Sequence, residues 1–244
     1  MKEDIVWQPF TLQFKQSYDG AYGYLDHCGD FVSRLRESFG FYATETILTG
    51  CSLELPEERM FLTANSNELS LNCEAPKDDR FFLDVAEFAS KTAVEIFHPF
   101  EVFRNSLVLR VFKSEATLEK ANDFSLSVFG NEYAELADTL SLQPSTKEIK
   151  IGFKSGSYEF DIQSQSVVLS VNGRNITVPQ NRISKAQHAY VDKVREVTNK
   201  RVFEPGYGVM LTLELSEKEP PPTSLAAHLK LLRDYQQIVT SKTR

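Results

Sequence analysis

Leu169-Ser170-Val171-Asn172, followed after a helix-period segment by Val209-Met210-Leu211-Thr212-Leu213-Glu214, is the stretch whose reading decides the fold. An earlier stretch matches both blocks. Leu69-Ser70-Leu71-Asn72 aligns with the first at an offset of 100, and Leu107-Val108-Leu109-Arg110-Val111-Phe112 with the second at an offset of 102. The unit reads strand, helix, strand and is used twice, which predicts an internal duplication.

Outward from the first copy, Phe10, Leu12 and Phe14 alternate with Thr11, Gln13 and Lys15, the period-2 signature of a half-buried strand. Asp19-Gly20 turns the chain into a helix whose apolar positions are Tyr24, Leu25, Cys28, Phe31, Val32, Leu35 and Phe39, with Gly40 as its stop. Ala43 to Pro56 carries no clear pattern and is given no element, although Ile47 to Leu55 is compatible with an extended strand. Arg59 to Ala64 and Glu68 to Glu74 read as a hairpin around Asn65-Ser66-Asn67, residue types that favour turns. Asp78 or Asp79 caps a second helix that buries Phe81, Phe82, Val85, Phe88, Ala89 and Ile96, Pro99 stops it, and Ser106 to Phe112 returns as a strand. The order β-α-β-β-α-β is that of a ferredoxin-like split βαβ unit.

In the second copy Glu148 to Lys154 repeats the opening strand, and Val167 to Val171 pairs with Asn175 to Val178 through Asn172-Gly173, a type I′ hairpin signal. A helix from about 181 to 200 on Ile183, Ala186, Tyr190, Val194 and Val197 precedes the strand Val209 to Leu215. Beyond Pro220-Pro221-Pro222, a helix lined by Leu225, Leu229, Leu232, Tyr235 and Val239 is expected to fill the helix position that the second half lacks. The expected fold is α+β: two tandem ferredoxin-like (split βαβ) halves from an internal duplication, antiparallel sheets with helices on one face, plus a C-terminal helix. The expected boundaries are 1–115 for the first half, 116–146 for a helical connector, 147–219 for the second half and 220–244 for the terminal helix. Within the connector, Phe124, Leu126 and Val128 alternate like a strand, so its helix is expected only over 131–141.

The 244 residues are 41% hydrophobic and 25% charged, a globular composition. No apolar run reaches the roughly 18 residues of a membrane span, and Glu3 and Asp4 stand where a secretory signal needs apolar residues, so a cytoplasmic protein without a membrane partner is expected. Cys28, Cys51 and Cys73 are odd in number and lack a C-x-x-C spacing, which points away from a disulfide framework or a zinc knuckle. Net charge is −7, unevenly spread: residues 174–244 hold 12 Lys or Arg against 7 Asp or Glu, a balance of +5 that leaves −12 for residues 1–173.

For chemistry, Asp26, His27, Cys28 and Asp30 form the densest cluster of titratable groups. Neighbours on a helix diverge by about 100°, however, and Cys28 belongs to the apolar stripe. His98 is placed as a helix C-cap, His188 in solvent and His228 in the core, with no acid–base pair evident from spacing. Asp19-Gly20-Ala21-Tyr22-Gly23 lacks the spacing and the lysine of a phosphate loop. Asn175-Ile176-Thr177 fits a glycosylation acceptor by pattern alone.

The basic stripe is the strongest residue pattern. Arg182, Lys185, Lys193 and Lys200 fall within about 80° of helix arc, with Arg174 and Arg201 at its ends, a row suited to phosphates. Two linked ferredoxin-like halves also resemble, in topology alone, RNA-binding proteins with paired RRM-like folds.

Neither a catalytic constellation nor a cofactor motif is legible, and 18 phenylalanines exceed what a modest core needs. The expected function is therefore a non-enzymatic binding or assembly protein acting through protein–protein contacts, with a protein partner or self-association and no cofactor. The alternatives are an RNA-binding or processing subunit using the basic stripe, and a small-molecule site between the halves.

Overall fold

The computed structural model describes residues 7–47, 50–129, 148–169, 190–194, 196, 204–218 and 225–241. In chain order the elements are β1 (Gln8–Asp19), α1 (Gly23–Phe39), β2 (Tyr42–Ile47), β3 (Gly50–Leu55), β4 (Met60–Ala64), β5 (Glu68–Glu74), α2 (Asp79–Phe97), β6 (Glu101–Glu115), α3 (Leu118–Phe129), β7 (Glu148–Ser155), β8 (Tyr158–Leu169), β9 (Gly206–Lys218) and α4 (Leu225–Ser241). Among the described residues the nine strands form one antiparallel sheet in the order β2-β3-β4-β5-β1-β6-β9-β8-β7.

That order overturns the expectation of two tandem ferredoxin-like halves. The segment without a clear pattern, Ala43 to Pro56, holds most of β2 and all of β3, so the first half carries a four-strand meander in place of a single hairpin. The two matched blocks 107–112 and 209–214 lie in β6 and β9, which are neighbours in one sheet rather than equivalent strands of two. Their likeness has a physical cause: both strands bury consecutive residues, Leu107, Val108 and Leu109 in one and Val209, Met210 and Leu211 in the other. A strand covered on both sides reads as an unbroken apolar run.

The chain divides into two compact units. A helix-pair unit comprises Gln13–Asn105 and Val171–Glu204, and a hairpin unit comprises Met1–Leu12, Ser106–Ser170 and Pro205–Arg244.

In the helix-pair unit, alternation in β3, β4 and β5 combines with register to give three apolar rows: Cys51/Ala64/Leu69, Leu53/Leu62/Leu71 and Leu55/Met60/Cys73. The helices bury Tyr24, Phe31 and Leu35 from α1 and Phe82, Val85, Ala86 and Ala89 from α2. Burying a large apolar side chain stabilises by about 1.5–3 kcal/mol, so this core dominates the unit's stability. Helix ends follow local chemistry. Gly40, at φ 79°, closes α1 through its N–H to Arg36 O at 2.9 Å. The Asp78 side chain accepts the Arg80 N–H at 2.8 Å and opens α2. The β4–β5 turn is held by Asn65, whose Oδ1 accepts the N–H groups of Asn67 and Glu68, both at 2.8 Å.

In the hairpin unit, residues 118–129 form α3, where alternation pointed to a strand. Ala121 and Ser125 lie four apart on one helical face and are buried, and Thr117 Oγ1 accepts the Lys120 N–H at 3.2 Å. The helix expected over 131–141 lies outside the described residues. Ser125 and Ser164 hydroxyls meet at 2.8 Å, joining α3 to β8. On α4, Leu225, His228, Leu229 and Leu232 are buried at helical spacing. In β9, a Cβ at Gly208 would overlap Lys113 O and the Phe112 ring of β6. Gly208→Ala is accordingly expected to cost about 1–3 kcal/mol by overpacking, checked by urea denaturation. No described helix is long and apolar enough to cross a membrane.

Candidate functional site

In the helix-pair unit, β1 runs into α1 through Asp19-Gly20-Ala21-Tyr22, and α2 runs into β6 through His98-Pro99-Phe100. These two connections grip one another. The Phe100 N–H donates to Asp19 O at 2.9 Å, and Gly20, at φ 64°, lies so close under the Phe100 ring that a Cβ there would collide with it. A Cβ on Gly23 would likewise sit 2.8 Å from Phe97 O. The glycines of this loop thus serve close packing against the end of α2.

The consequence is an aromatic pair held outward on a fixed base, with Leu25 exposed on the first turn of α1. Phe100 is 79% exposed, Tyr22 70% and Leu25 58%. The Tyr22 and Phe100 rings meet edge to face with centroids 5.8 Å apart. Asp19, Asp26 and Glu101, beside them in sequence, are all exposed. Isolated exposed apolar residues are ordinary, but a positioned aromatic pair with a leucine and an acidic rim has the composition of an interface anchor.

Elsewhere on their surface, α1 and α2 border a groove of about 400 Å³ lined by His27, Asp30, Ser33, Arg34, Glu95, Ile96 and His98. Arg34 and Glu95 pair across it at 3.1 Å, and Lys91 lies 3.9 Å from Glu95. His27 Nδ1 lies 3.2 Å from Asp30, with both side chains more than half exposed, so solvent screens the pair and it is a feature of the helix surface. His98 caps α2 in the left-handed region at φ 46°.

The cysteines belong to the interior. Cys28, Cys51 and Cys73 are free and buried. Burial, reinforced by the neighbouring Cys28, pushes the Cys51 thiol up to about 12, and burial beside Glu58 and Glu74 does the same for Cys73. Both stay protonated near neutrality, whereas nucleophilic attack requires the thiolate. Tyr18 and Tyr24 are also raised above the ordinary phenol value by burial. Among the described residues no group of three or more His, Cys, Asp or Glu is placed to hold a metal ion.

Of the basic stripe, Lys193 is described. It sits on a helical segment at 190–194 and pairs with Glu57. Nearby, Tyr190 Oη donates to Glu54 at 2.7 Å and its ring lies 5.5 Å from that of Tyr42. Arg174, Arg182, Lys185, Lys200 and Arg201 lie outside the described residues, as does His188. His228 is buried as expected of a core residue, and spacing did not disclose the Glu217 carboxylate 3.3 Å from its Nε2, a close approach that lacks hydrogen-bond geometry.

Periodicity assigned Leu25 to the buried face of its helix and singled out neither Tyr22 nor Phe100. The usable signal was their position, aromatics beside Gly20, Gly23 and Pro99 and outside either helical stripe. No protein-family model matches the chain, and no curated protein matches it significantly.

Proposed function

We propose that this protein works by binding another protein, as a non-enzymatic assembly factor or subunit, and that the Tyr22/Leu25/Phe100 cluster is its anchor. The observation that carries the reading is the combination of 58–79% exposure with a fixed base. Ring stacking, the Asp19–Phe100 hydrogen bond and the glycine contacts hold the side chains in place before any partner arrives, which lowers the entropic cost of docking. The exposed carboxylates of Asp19, Asp26 and Glu101 favour a partner segment that combines apolar with basic side chains.

Tyr22→Asp and Phe100→Asp place charge in the anchor without touching the core. A partner retained by the wild-type chain from host extract should be lost by the double variant, with affinity for the purified partner reduced about 30-fold or more, as for an interface hot spot. A wild-type chain that retains nothing beyond what the double variant retains refutes the proposal.

A further inference from the structure

The hairpin unit presents a second surface, independent of the anchor. Among the described residues β7 ends the sheet, and its eight residues pair with β8 without a break in register, from Glu148↔Gln165 to Ser155↔Tyr158. Natural edge strands are blunted by prolines, bulges, charged side chains or covering segments, and the charges of β7, Glu148, Lys150 and Lys154, lie on the side opposite its isoleucines. β7 has neither a proline nor a bulge. Its alternate residues Ile149, Ile151 and Phe153 share one side, on which Ile151 is 41% and Phe153 54% exposed. Phe153 stacks on Phe160 of β8 with centroids 6.2 Å apart, and Phe160 lies 4.5 Å from Tyr235 of α4. The apolar row therefore continues a packed layer outward to the open edge.

We propose that a second copy of this chain docks antiparallel on β7, about a two-fold axis at Ile151. The sequence of the strand is self-complementary in that register alone among its neighbours. Ile151 faces Ile151 of the other copy, Ile149 faces Phe153, and Glu148 faces Lys154, so apolar meets apolar and opposite charges meet twice by symmetry. Lys150 faces Gly152, which offers no side chain. The Lys150 ammonium is already held by Asp161 of its own chain at 2.8 Å, so it brings no unpaired charge to the seam. Moving the axis to Gly152 sets Lys150 opposite Lys154 twice, and an odd shift sets the apolar side of one copy against the charged side of the other. Lys154 is available for the pairing: Glu159, its neighbour at 3.6 Å, is bound more closely by Lys218 at 2.9 Å.

The test is the mass of the full chain by light scattering over a concentration series. The wild type should approach twice the chain mass. Glu148→Lys and Lys154→Glu should each raise the dimer dissociation constant roughly ten-fold by setting like charges opposite each other. The double reversal should restore it, an outcome that a folding defect cannot produce. Ile151→Asp should leave a monomer with unchanged far-ultraviolet circular dichroism. A wild type that stays monomeric, or a dimer indifferent to the reversals, overturns the inference. Partner capture through Tyr22 and Phe100 is scored separately in the same variants, so either proposal can fail while the other stands.

Discussion

Phe97→Ala should destabilise the helix-pair unit by about 3–5 kcal/mol, the range for deleting a fully buried aromatic side chain. Phe97 is the last residue of α2 and is 0% exposed, with Tyr24 5.2 Å away edge to face and Phe31 4.9 Å away, both from α1. Cost within the range depends on how far the surroundings collapse, and here collapse is opposed. The Ile96 and Phe97 carbonyls already lie against Gly23, so the end of α2 cannot slide inward. The upper part of the range is therefore expected in urea denaturation, with Phe88→Ala, at a half-buried position of the same helix, as the milder control. The same change should reach the surface. Because Phe97 anchors the turn that presents Phe100, amide exchange at Phe100, whose N–H is bonded to Asp19 O, should quicken more than in the control. A loss below about 1 kcal/mol would mean that the aromatic cluster is not the clamp between the two helices.

What the sequence disclosed was mostly local. Both helices flanking the meander follow from 3.6-residue periodicity with Gly40 and Asp78 as stop and start, and the β4–β5 turn from Asn65. These signals act over a few residues, where competing interactions are few. Sheet order is a long-range property. A strand buried on both sides, such as β6 or β9, carries no alternation to reveal its neighbours, and resemblance between two such strands imitates duplication. α3 is hidden because its apolar residues at 124, 126 and 128 follow a two-residue period, whereas the helical face it buries, Ala121 and Ser125, is small and partly polar. The candidate anchor was hidden for the opposite reason. Hydrophobicity alone assigns Leu25 to a core, and only the geometry of Gly20, Gly23 and Pro99 turns Tyr22 and Phe100 outward.

His228→Ala should cost the hairpin unit about 1–3 kcal/mol at neutral pH, because it removes a buried, uncharged imidazole that stands between the Tyr158 ring and a buried carboxylate. Glu217, at the end of β9, is 2% exposed, and His228 on α4 is 7% exposed, with Nε2 and Oε2 3.3 Å apart and the Tyr158 ring edge-on to the imidazole at 5.6 Å. Burial lowers the imidazole below its ordinary value of 6.5, and the Glu217 charge opposes that shift only in part. The sign of the pH dependence follows. Between the lowered folded value and 6.5 the unfolded chain binds more protons than the folded one, so stability rises with pH through that window. The contribution is complete above about 6.5 and is lost as pH falls toward the folded value. Melting temperature should therefore climb from mildly acid to neutral pH in the wild type, and His228→Gln should flatten that climb. A melting temperature that instead falls over this interval would show that Glu217 outweighs burial and that the imidazole is held charged. Glu217→Leu combined with His228→Leu separates the two costs. If the loss in His228→Ala comes from the carboxylate left without its neighbour, replacing both side chains by apolar ones should recover most of it, since such a double replacement is often nearly neutral. If instead the double variant is as unstable as His228→Ala, the imidazole's packing against Tyr158, and not the pairing, is what fixes α4 to β9.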